Sequence, residues 1–442
     1  MSNREMNAKK HTLRLPLAGR NFTSLLLGNL VYSISQWGMI IVIARLGNPI
    51  FVGQYSLGLA VTAPIILFLN LQLRNFQATD TNSQYEFHHY LKLRLVTMFI
   101  AYFVIVAIAL WGYQNWDLFL VTLFIGLAKV FESISDIYFG LFQKHEHMNY
   151  ISTSMILKGI LSLVILSITM VLTNSIVLGS LSIAITWLMI LLLYDLKNGY
   201  KLSTVIKKPI KLSSLFLIRT MDFKQLTKIA WLTIPLGIVS TLDSLNSNIP
   251  RYVLQNIGGE ETVGYYAAIS YFMIAGGTVV NAMLQSTSPK LASYYRLNLN
   301  KFKQLLIRLV CLSTGVGVIG ILAAIVCGKQ ILNIMYGSNY AAHHQAFVYI
   351  MAASAVWYIA SCLSIALTAS RFIKVQVPIY ILSCISVMIT SLYFIPQYYL
   401  LGAAMSVCAG MITRAALTLA CVVFSVRKQS NVDVISVPRS NF

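Results

Sequence analysis

Apolar stretches of about 20 residues recur along the whole chain, separated by short polar segments. A helix of this length crosses the hydrocarbon core of a bilayer, which is about 30 Å thick. The pattern therefore predicts an all-α polytopic membrane protein with twelve transmembrane helices. The predicted spans are 22–45, 51–73, 94–114, 117–142, 151–173, 175–194, 229–254, 262–288, 305–327, 343–369, 376–394 and 400–424.

The composition agrees with this pattern. The 442 residues are 57% hydrophobic and only 10% charged, whereas a soluble globular protein carries about 25% charged residues. A soluble class is therefore excluded, and we expect the lipid bilayer to be the solvent for most of the chain.

The net charge of +20 is unevenly distributed. With twelve spans, the basic segments all fall on one side of the membrane, including the loop after helix 2 (Arg74, Lys92 and Arg94). Only Arg45, Arg251 and Lys329 fall on the other side. Since loops rich in Lys and Arg stay inside, both termini are predicted to be cytoplasmic. The charge is thus a topology signal, and we expect no nucleic-acid partner.

A short motif occurs twice, at a constant offset of 211 residues. Gly47, Val52, Gly53 and Tyr55 align with Gly258, Val263, Gly264 and Tyr266. Each copy follows the first helix of a set of six, so we predict two six-helix lobes related by a pseudo-two-fold axis along the membrane normal. The predicted organisation is a cytoplasmic segment 1–20, a lobe 21–194, a basic cytoplasmic linker 195–228, a lobe 229–425 and a cytoplasmic tail 426–442.

The seventh predicted helix carries polar groups through the membrane. Ser240, Asp243, Ser247 and Arg251 fall within an arc of about 80° on a helical wheel. A charged side chain at mid-bilayer costs about 3 kcal/mol, so such groups normally face a bundle interior or a water-filled path. We interpret this helix as a wall of such a path.

Other spans carry charges as well. Lys129 and Glu132 can pair at i,i+3 in helix 4, Lys158 lies in helix 5, and Arg414 lies in helix 12 without a partner nearby in sequence. These groups could instead only fix helix packing. The cationic groups outnumber the acidic ones, which suits an anionic headgroup such as a phosphate or diphosphate. The candidate cavity residues are Arg251, Asp243, Arg414, Lys129, Glu132, Asn29, Gln36, Arg45 and Lys158.

This hypothesis predicts that the cationic side chains share one hydrated chamber and are not neutralised separately in dry contacts.

The sequence contains no motif of several common enzyme classes. No G-x-x-x-x-G-K-[ST] loop, D-x-D pattern or H-E-x-x-H spacing occurs, and no cysteine pair has C-x-x-C spacing. We therefore expect no catalytic activity, no cofactor and no metal site.

The motifs resemble those of Wzx-type polysaccharide flippases, a branch of the multidrug/oligosaccharidyl-lipid/polysaccharide exporter (MOP) superfamily. The resemblance rests on four segments. They are helix 1 with the residues that directly follow it (Gly28-Asn29, Tyr32, Gln36-Trp37, Ala44-Arg45-Leu46-Gly47), Asn248-Ile249-Pro250-Arg251-Tyr252, Ser288-Pro289-Lys290 and Tyr336-Gly337-Ser338-Asn339-Tyr340. It extends from about residue 20 to residue 425. It implies two lobes around a central cavity, whose cationic residues (here Arg251, Lys129 and Arg414) hold the sugar or diphosphate.

The resemblance also implies a function and a location. The expected substrate is an undecaprenyl-diphosphate-linked oligosaccharide for O-antigen, capsule or exopolysaccharide, moved across the bacterial plasma membrane by alternating access. A coupling ion (H⁺ or Na⁺), a polysaccharide polymerase and a chain-length regulator are further candidate partners. Two alternatives stay open: a cation-coupled multidrug exporter of the same fold, and an inert membrane scaffold.

Overall fold

A computed structural model of the chain describes residues 15–80, 85–205, 223–372 and 375–435, and the regular structure in these ranges is helical. The helices are α1 (Leu15–Leu46), α2 (Pro49–Leu69), α3 (Leu73–Thr79), α4 (Phe87–Gly112), α5 (Trp116–Lys144), α6 (Met148–Thr173), α7 (Ile176–Ile190), α8 (Lys197–Val205), α9 (Phe223–Leu297), α10 (Leu299–Tyr336), α11 (Ser338–Ala341), α12 (His344–Ala369) and α13 (Gln376–Ile435). The predicted all-α fold class is confirmed.

Ten helical stretches in the described ranges are long and apolar enough to cross a membrane. Two of them are 72 and 52 residues long, more than twice the length of about 20 residues that one crossing needs. Each contains one residue outside helical geometry, Gly259 in α9 and Tyr399 in α13. Dividing the two stretches there gives segments at the predicted positions, while the number of twelve crossings stays a prediction.

The two breaks have local causes. Gly259 has φ 72°, a left-handed conformation that glycine adopts without a steric cost. Tyr399 also has a positive φ, and Pro396 just before it lacks the N–H that would continue the helix. A Cβ on Gly402 would collide with the carbonyl oxygen of Phe394. The chain can therefore fold back closely after the break in α13 because residue 402 has no side chain.

Short polar connections start several helices. A side-chain oxygen that accepts a backbone N–H of the first turn satisfies a donor that the helix itself leaves unpaired. The residues that do this are Asn115 before α5, Ser175 before α7 and Asn298 before α10. These caps fix where the apolar runs begin, which explains why the helices start close to the predicted positions.

The predicted linker 195–228 starts inside a helix, which corrects its first residues. A π-helical turn, Leu191–Leu196, continues α7 directly into α8. Asp195 on this turn is completely buried and bonds Lys158. Because Lys158 neutralises the charge of Asp195 inside the bundle, the helix continues past this carboxylate and does not end there. Residues 206–222 of the linker lie outside the described residues.

The prediction that Lys92 and Arg94 lie in the loop after helix 2 is wrong. Both lie in α4, which begins at Phe87, and both are buried. Arg94 is tolerated there because it donates to Asn70 and faces the carboxylate of Asp136. Buried arginines need such partners, since an unpaired charge in a low-dielectric interior is costly.

The chain divides into two compact units. Unit 1 comprises residues 1–47 and 61–241, and unit 2 comprises residues 48–60 and 242–442. Unit 1 has an apolar core that includes Tyr90, Tyr138 and Phe142. Unit 2 has a core of apolar residues from α9, α10, α12 and α13, including Phe302 and Leu363. The predicted lobe boundaries 21–194 and 229–425 stay predictions.

The repeated motif forms a reciprocal contact within unit 2. A Cβ on Gly53 would collide with the carbonyl oxygen of Glu260, and a Cβ on Gly264 would collide with that of Pro49. At the offset of 211, Gly53 corresponds to Gly264 and Pro49 corresponds to Glu260. The two copies therefore touch through equivalent positions, as in a two-fold contact. The side chain of Gln54 also donates to Glu260 at 2.8 Å.

Candidate functional site

Unit 1 encloses an open cavity of about 400 Å³. We call it the unit 1 cavity. Its lining residues are Tyr32, Ala63, Ile66, Leu67, Asn70, Gln72, Arg74, Lys129, Glu132, Ser133, Asp136, Phe139, Met155 and Lys158. The cavity thus combines three cationic side chains, two carboxylates and several neutral polar groups within apolar walls, a composition typical of small-molecule sites.

Lys129 and Glu132 form the predicted i,i+3 pair on α5. Lys129 Nζ donates to Glu132 Oε2 at 2.8 Å, and the two side chains are 23% and 29% exposed. Tyr32 on α1 donates its hydroxyl to the other carboxylate oxygen of Glu132. The Lys129 ammonium also lies 5.0 Å from the centre of the Trp187 ring, where a cation is attracted by the ring's negative face. The pair is held in place but remains accessible to solvent.

Lys158 has a different environment. Its Nζ donates to Asp195 Oδ2 at 3.0 Å, and the two side chains are only 2% and 0% exposed. Asp195 lies on the π-helical turn after α7, and such turns often re-aim a functional side chain. The Lys158 ammonium also lies 5.0 Å from the Phe139 ring centre. Lys158 therefore borders the cavity, but Asp195 neutralises its charge and the ion pair is almost inaccessible to solvent.

Arg74 and Asp136 form a third ion pair of the cavity. Arg74 Nη1 donates to Asp136 Oδ1 at 3.2 Å, and Arg74 Nε donates to Gln143 at 3.2 Å. The Arg74 guanidinium also lies 5.5 Å from the Phe139 ring centre, so two cations are close to this ring. The sequence placed Arg74 in a loop, so it was missed as a site residue. The signal that could have found it was Asp136, which shares a helical face with Lys129 and Glu132.

The candidate residues Asn29, Gln36 and Arg45 of helix 1 do not line the unit 1 cavity, although Tyr32 of the same helix does. Asn29 and Arg45 are exposed, and Gln36 is half-buried. Gln36 lies one turn from Tyr32, and its amide nitrogen is buried without a hydrogen-bond partner among the described residues. The structure thus brings Lys129, Glu132 and Lys158 together and leaves the other unit 1 candidates outside this cavity.

Arg414 has partners in unit 2, which corrects its interpretation as a lone arginine. Its Nη1 donates to Asp243 Oδ1 at 2.9 Å, and its Nη2 donates to the hydroxyl of Tyr380. The guanidinium lies 4.2 Å from the Tyr380 ring centre. The Arg414 side chain is 5% exposed, whereas that of Asp243 is 53% exposed. Tyr380 and Asp243 are 34 and 171 residues away from Arg414 in sequence, so no local pattern could indicate them.

Arg251 is tied to its own helix in unit 2. Its Nη1 donates to Asn248 Oδ1 at 2.9 Å, and Asn248 in turn donates to the carbonyl of Ser244. Arg251 Nε is buried without a hydrogen-bond partner among the described residues. Arg251 and Asp243 lie eight residues apart on α9 and have different partners. Their role in substrate binding stays a prediction.

The expectation of one hydrated chamber therefore has a mixed outcome. In unit 1, the Lys129–Glu132 and Arg74–Asp136 pairs share one open cavity. The Lys158–Asp195 pair is dry, and Arg414 is neutralised by Asp243. Chemically, the unit 1 cavity offers donors for an anionic group and carboxylate, amide and hydroxyl acceptors for sugar hydroxyls.

The sequence comparisons decide the family. The profile of the family described as "Polysaccharide biosynthesis protein" matches residues 18–295, more than half of the chain. The chain belongs to this family. A relative, the capsular polysaccharide biosynthesis protein CapF of Staphylococcus aureus, is 28% identical over 391 residues, covering 88% of this chain and 95% of CapF. The predicted resemblance to polysaccharide flippases is confirmed.

Solved structures show the same fold. A multidrug resistance MATE family transporter of the MOP superfamily matches with TM-scores of 0.62 in its outward-facing and 0.64 in its inward-facing conformation, at 13% identity, over 94% and 93% of this chain and 96% of each solved chain. A MOP superfamily transporter from Pyrococcus furiosus, described as having a binding pocket of reverse polarity, matches with a TM-score of 0.64 at 13% identity, over 94% of this chain and 96% of its own. This member of the polysaccharide biosynthesis family is thus a multi-pass membrane protein with a transporter fold.

Proposed function

We propose that this protein is a flippase that moves undecaprenyl-diphosphate-linked oligosaccharide units from the cytoplasmic to the outer leaflet for surface polysaccharide, with capsule as the favoured product. The family and the relative CapF support polysaccharide biosynthesis, and the fold supports transport. The headgroup enters the protein while the polyprenyl tail stays in lipid.

The observation that carries the proposal is the unit 1 cavity with its solvent-accessible Lys129–Glu132 pair. Lys129 makes one hydrogen bond to Glu132, so two of its three donors remain for a phosphate oxygen. Glu132 and Asp136 accept hydrogen bonds from sugar hydroxyls. A headgroup with both phosphate and sugars needs both kinds of partner in one place.

The physical need for such a cavity follows from the bilayer. Each sugar hydroxyl that enters hydrocarbon without a hydrogen-bond partner costs several kcal/mol. A polar cavity replaces water during the crossing and lowers this cost. An inside-negative potential favours outward movement of an anion by about 2.3 kcal/mol per charge per 100 mV.

The remaining parts of the proposal concern location and partners. The protein acts in the bacterial plasma membrane with both termini in the cytoplasm, as the distribution of basic residues predicts. H⁺ or Na⁺ serves as the coupling ion through Glu132 or Asp243, and a polymerase with its chain-length regulator uses the flipped units. No catalytic step is proposed for the protein itself.

The test is Lys129→Gln in a strain that depends on this protein for its surface polysaccharide. We expect surface polysaccharide to fall at least about tenfold, because a charge-assisted contact to phosphate is worth about 1.5–3 kcal/mol. Immunodetection on intact cells measures the product, and membrane fractions report protein level.

Lys329→Gln is the matched control, since Lys329 is an exposed lysine of α10 outside the cavity. Wild-type polysaccharide in the Lys129→Gln strain, at equal protein level, would contradict the proposal. The alternative, a cation-coupled multidrug exporter, predicts instead that wild-type cells expel a cationic dye and that Lys129→Gln leaves this efflux intact.

A further inference from the structure

Two arginines converge on one carboxylate in unit 1. Asp136 Oδ1 lies 3.2 Å from Arg74 Nη1, and Asp136 Oδ2 lies 3.7 Å from Arg94 Nη2. Arg74 lies in the first turn of the short helix α3, Arg94 lies on α4, and Asp136 lies on α5. Of the three residues, Arg74 and Asp136 line the unit 1 cavity, whereas the completely buried Arg94 faces Asp136 without lining the cavity.

The carboxylate does not use all the donors that face it. Arg94 is completely buried, and its Nε and Nη2 have no hydrogen-bond partner among the described residues. Its Nη1 donates to Asn70, a cavity residue. A buried donor without a partner is costly, so the site favours an anion with more acceptor oxygens than one carboxylate offers. Phosphate oxygens match guanidinium donors in a bidentate geometry.

The carboxylate is also in a position to be displaced. Asp136 and Arg74 are 28% and 24% exposed, and both line the open cavity. If an incoming anion binds the arginines in place of Asp136, water can solvate the displaced carboxylate at low cost. The Lys158–Asp195 pair differs, because its side chains are 2% and 0% exposed. Displacement of Asp195 from Lys158 would leave an unpaired carboxylate in the buried interior, which is costly.

A close helix contact positions Arg74. A Cβ on Gly140 of α5 would come within 2.5 Å of Gln77 Oε1 and 3.4 Å of Arg74 Cα. Glycine at this position lets α3 lie directly against α5, one turn after Asp136. The position of Arg74 over the carboxylate is therefore a feature of the helix packing.

We propose that Arg74 and Arg94 form a subsite for a phosphate group of the lipid-linked headgroup, and that Asp136 is the resident anion which this phosphate displaces and which later helps to expel it. The identification of the phosphate as part of a lipid-linked headgroup rests on the proposed function. Transport requires a site that binds strongly enough for entry and weakly enough for exit. A competing carboxylate within the site supplies this balance.

The test measures binding of inorganic pyrophosphate to the purified full-length protein in detergent, by isothermal titration calorimetry. Arg74→Gln should weaken the affinity about tenfold through loss of a charge-assisted hydrogen bond. Asp136→Asn should strengthen it about fivefold, because the competing charge is removed while the shape is kept. Asp136→Ser serves as a second variant if the amide variant is recovered poorly.

Lys144→Gln is the control, since Lys144 is the last residue of α5 and pairs with Asp80 at 3.9 Å, outside the cavity. Its affinity should equal that of the wild type. A merely structural ion pair would make the Arg74 and Asp136 variants change affinity in the same direction, and this result would overturn the proposal. Absence of pyrophosphate binding to the wild type would also overturn it.

The two proposals fail separately. If the binding results are as expected but surface polysaccharide is unchanged in Arg74→Gln and Lys129→Gln cells, the anion subsite stands and the flippase function fails. If pyrophosphate binding does not follow the expected signs while Lys129→Gln abolishes surface polysaccharide, the subsite fails and the flippase function stands.

Discussion

The two compact units treat their charged side chains differently. In unit 1, Arg74, Lys129 and Lys158 line one open cavity together with Glu132 and Asp136. In unit 2, the Arg414 side chain is buried beside the Tyr380 ring and is neutralised by Asp243. A charge in the middle of an apolar span therefore does not by itself indicate a substrate cavity. The distinguishing features are several polar groups at one place and open volume beside them.

The largest effect should come from the dry pair of unit 1. Lys158→Met or Asp195→Leu alone leaves a fully buried charge unpaired, which costs about 3–5 kcal/mol. We expect each single variant to lower the apparent melting temperature of the detergent-solubilised protein strongly. Lys158→Met combined with Asp195→Leu should recover much of the loss, since both charges are removed. Single variants as stable as the wild type would show that the pair is hydrated, and the contrast with the Arg74–Asp136 pair would be lost.

The next effect concerns the reciprocal glycine contact of unit 2. Gly53→Ala or Gly264→Ala places a methyl group against a backbone carbonyl, which costs about 1–3 kcal/mol through overpacking. We expect both variants to lower the apparent melting temperature by similar amounts, because the two contacts are equivalent in the repeat. Size-exclusion chromatography after heating provides the measurement.

Gly315→Ala in α10 is the matched control for these glycine variants. A Cβ at Gly315 meets nothing within 4 Å, so this change should preserve or slightly raise stability through better helix propensity. If Gly53→Ala and Gly264→Ala behave like Gly315→Ala, the close contact does not support the fold of unit 2. If only one of them is destabilising, the contact is not reciprocal.

The sequence predicted the helices well because their signals are local. Apolar runs gave the spans, and the predicted ends at 254/262 and 394/400 bracket the breaks at Gly259 and Tyr399. Lys129 and Glu132 could be paired in advance because they lie one turn apart. The repeat at Gly53 and Gly264 was visible as well, although its reciprocal contact was not.

The remainder of the site depends on partners that are distant in sequence. Asp195 pairs with Lys158, which is 37 residues away in sequence, and Arg94 on α4 faces Asp136 on α5. Both Asp195 and Arg94 lie near predicted span ends, where charge ordinarily indicates a loop. Hydropathy reports the average cost of a residue and carries no information about a compensating partner. This is why the carboxylate behind Lys158 and the arginines around Asp136 emerged only from the structure.

The most direct test of the central claim is a flipping assay in proteoliposomes that contain a fluorescent lipid-linked oligosaccharide. Lys129→Gln and Arg414→Gln are compared with the wild type at equal protein density. We expect Lys129→Gln to slow flipping at least about tenfold. Arg414→Gln should slow it much less, because water can solvate the exposed Asp243 that it leaves behind. Arrested flipping in Arg414→Gln with a wild-type rate in Lys129→Gln would contradict the assignment of the headgroup to the unit 1 cavity.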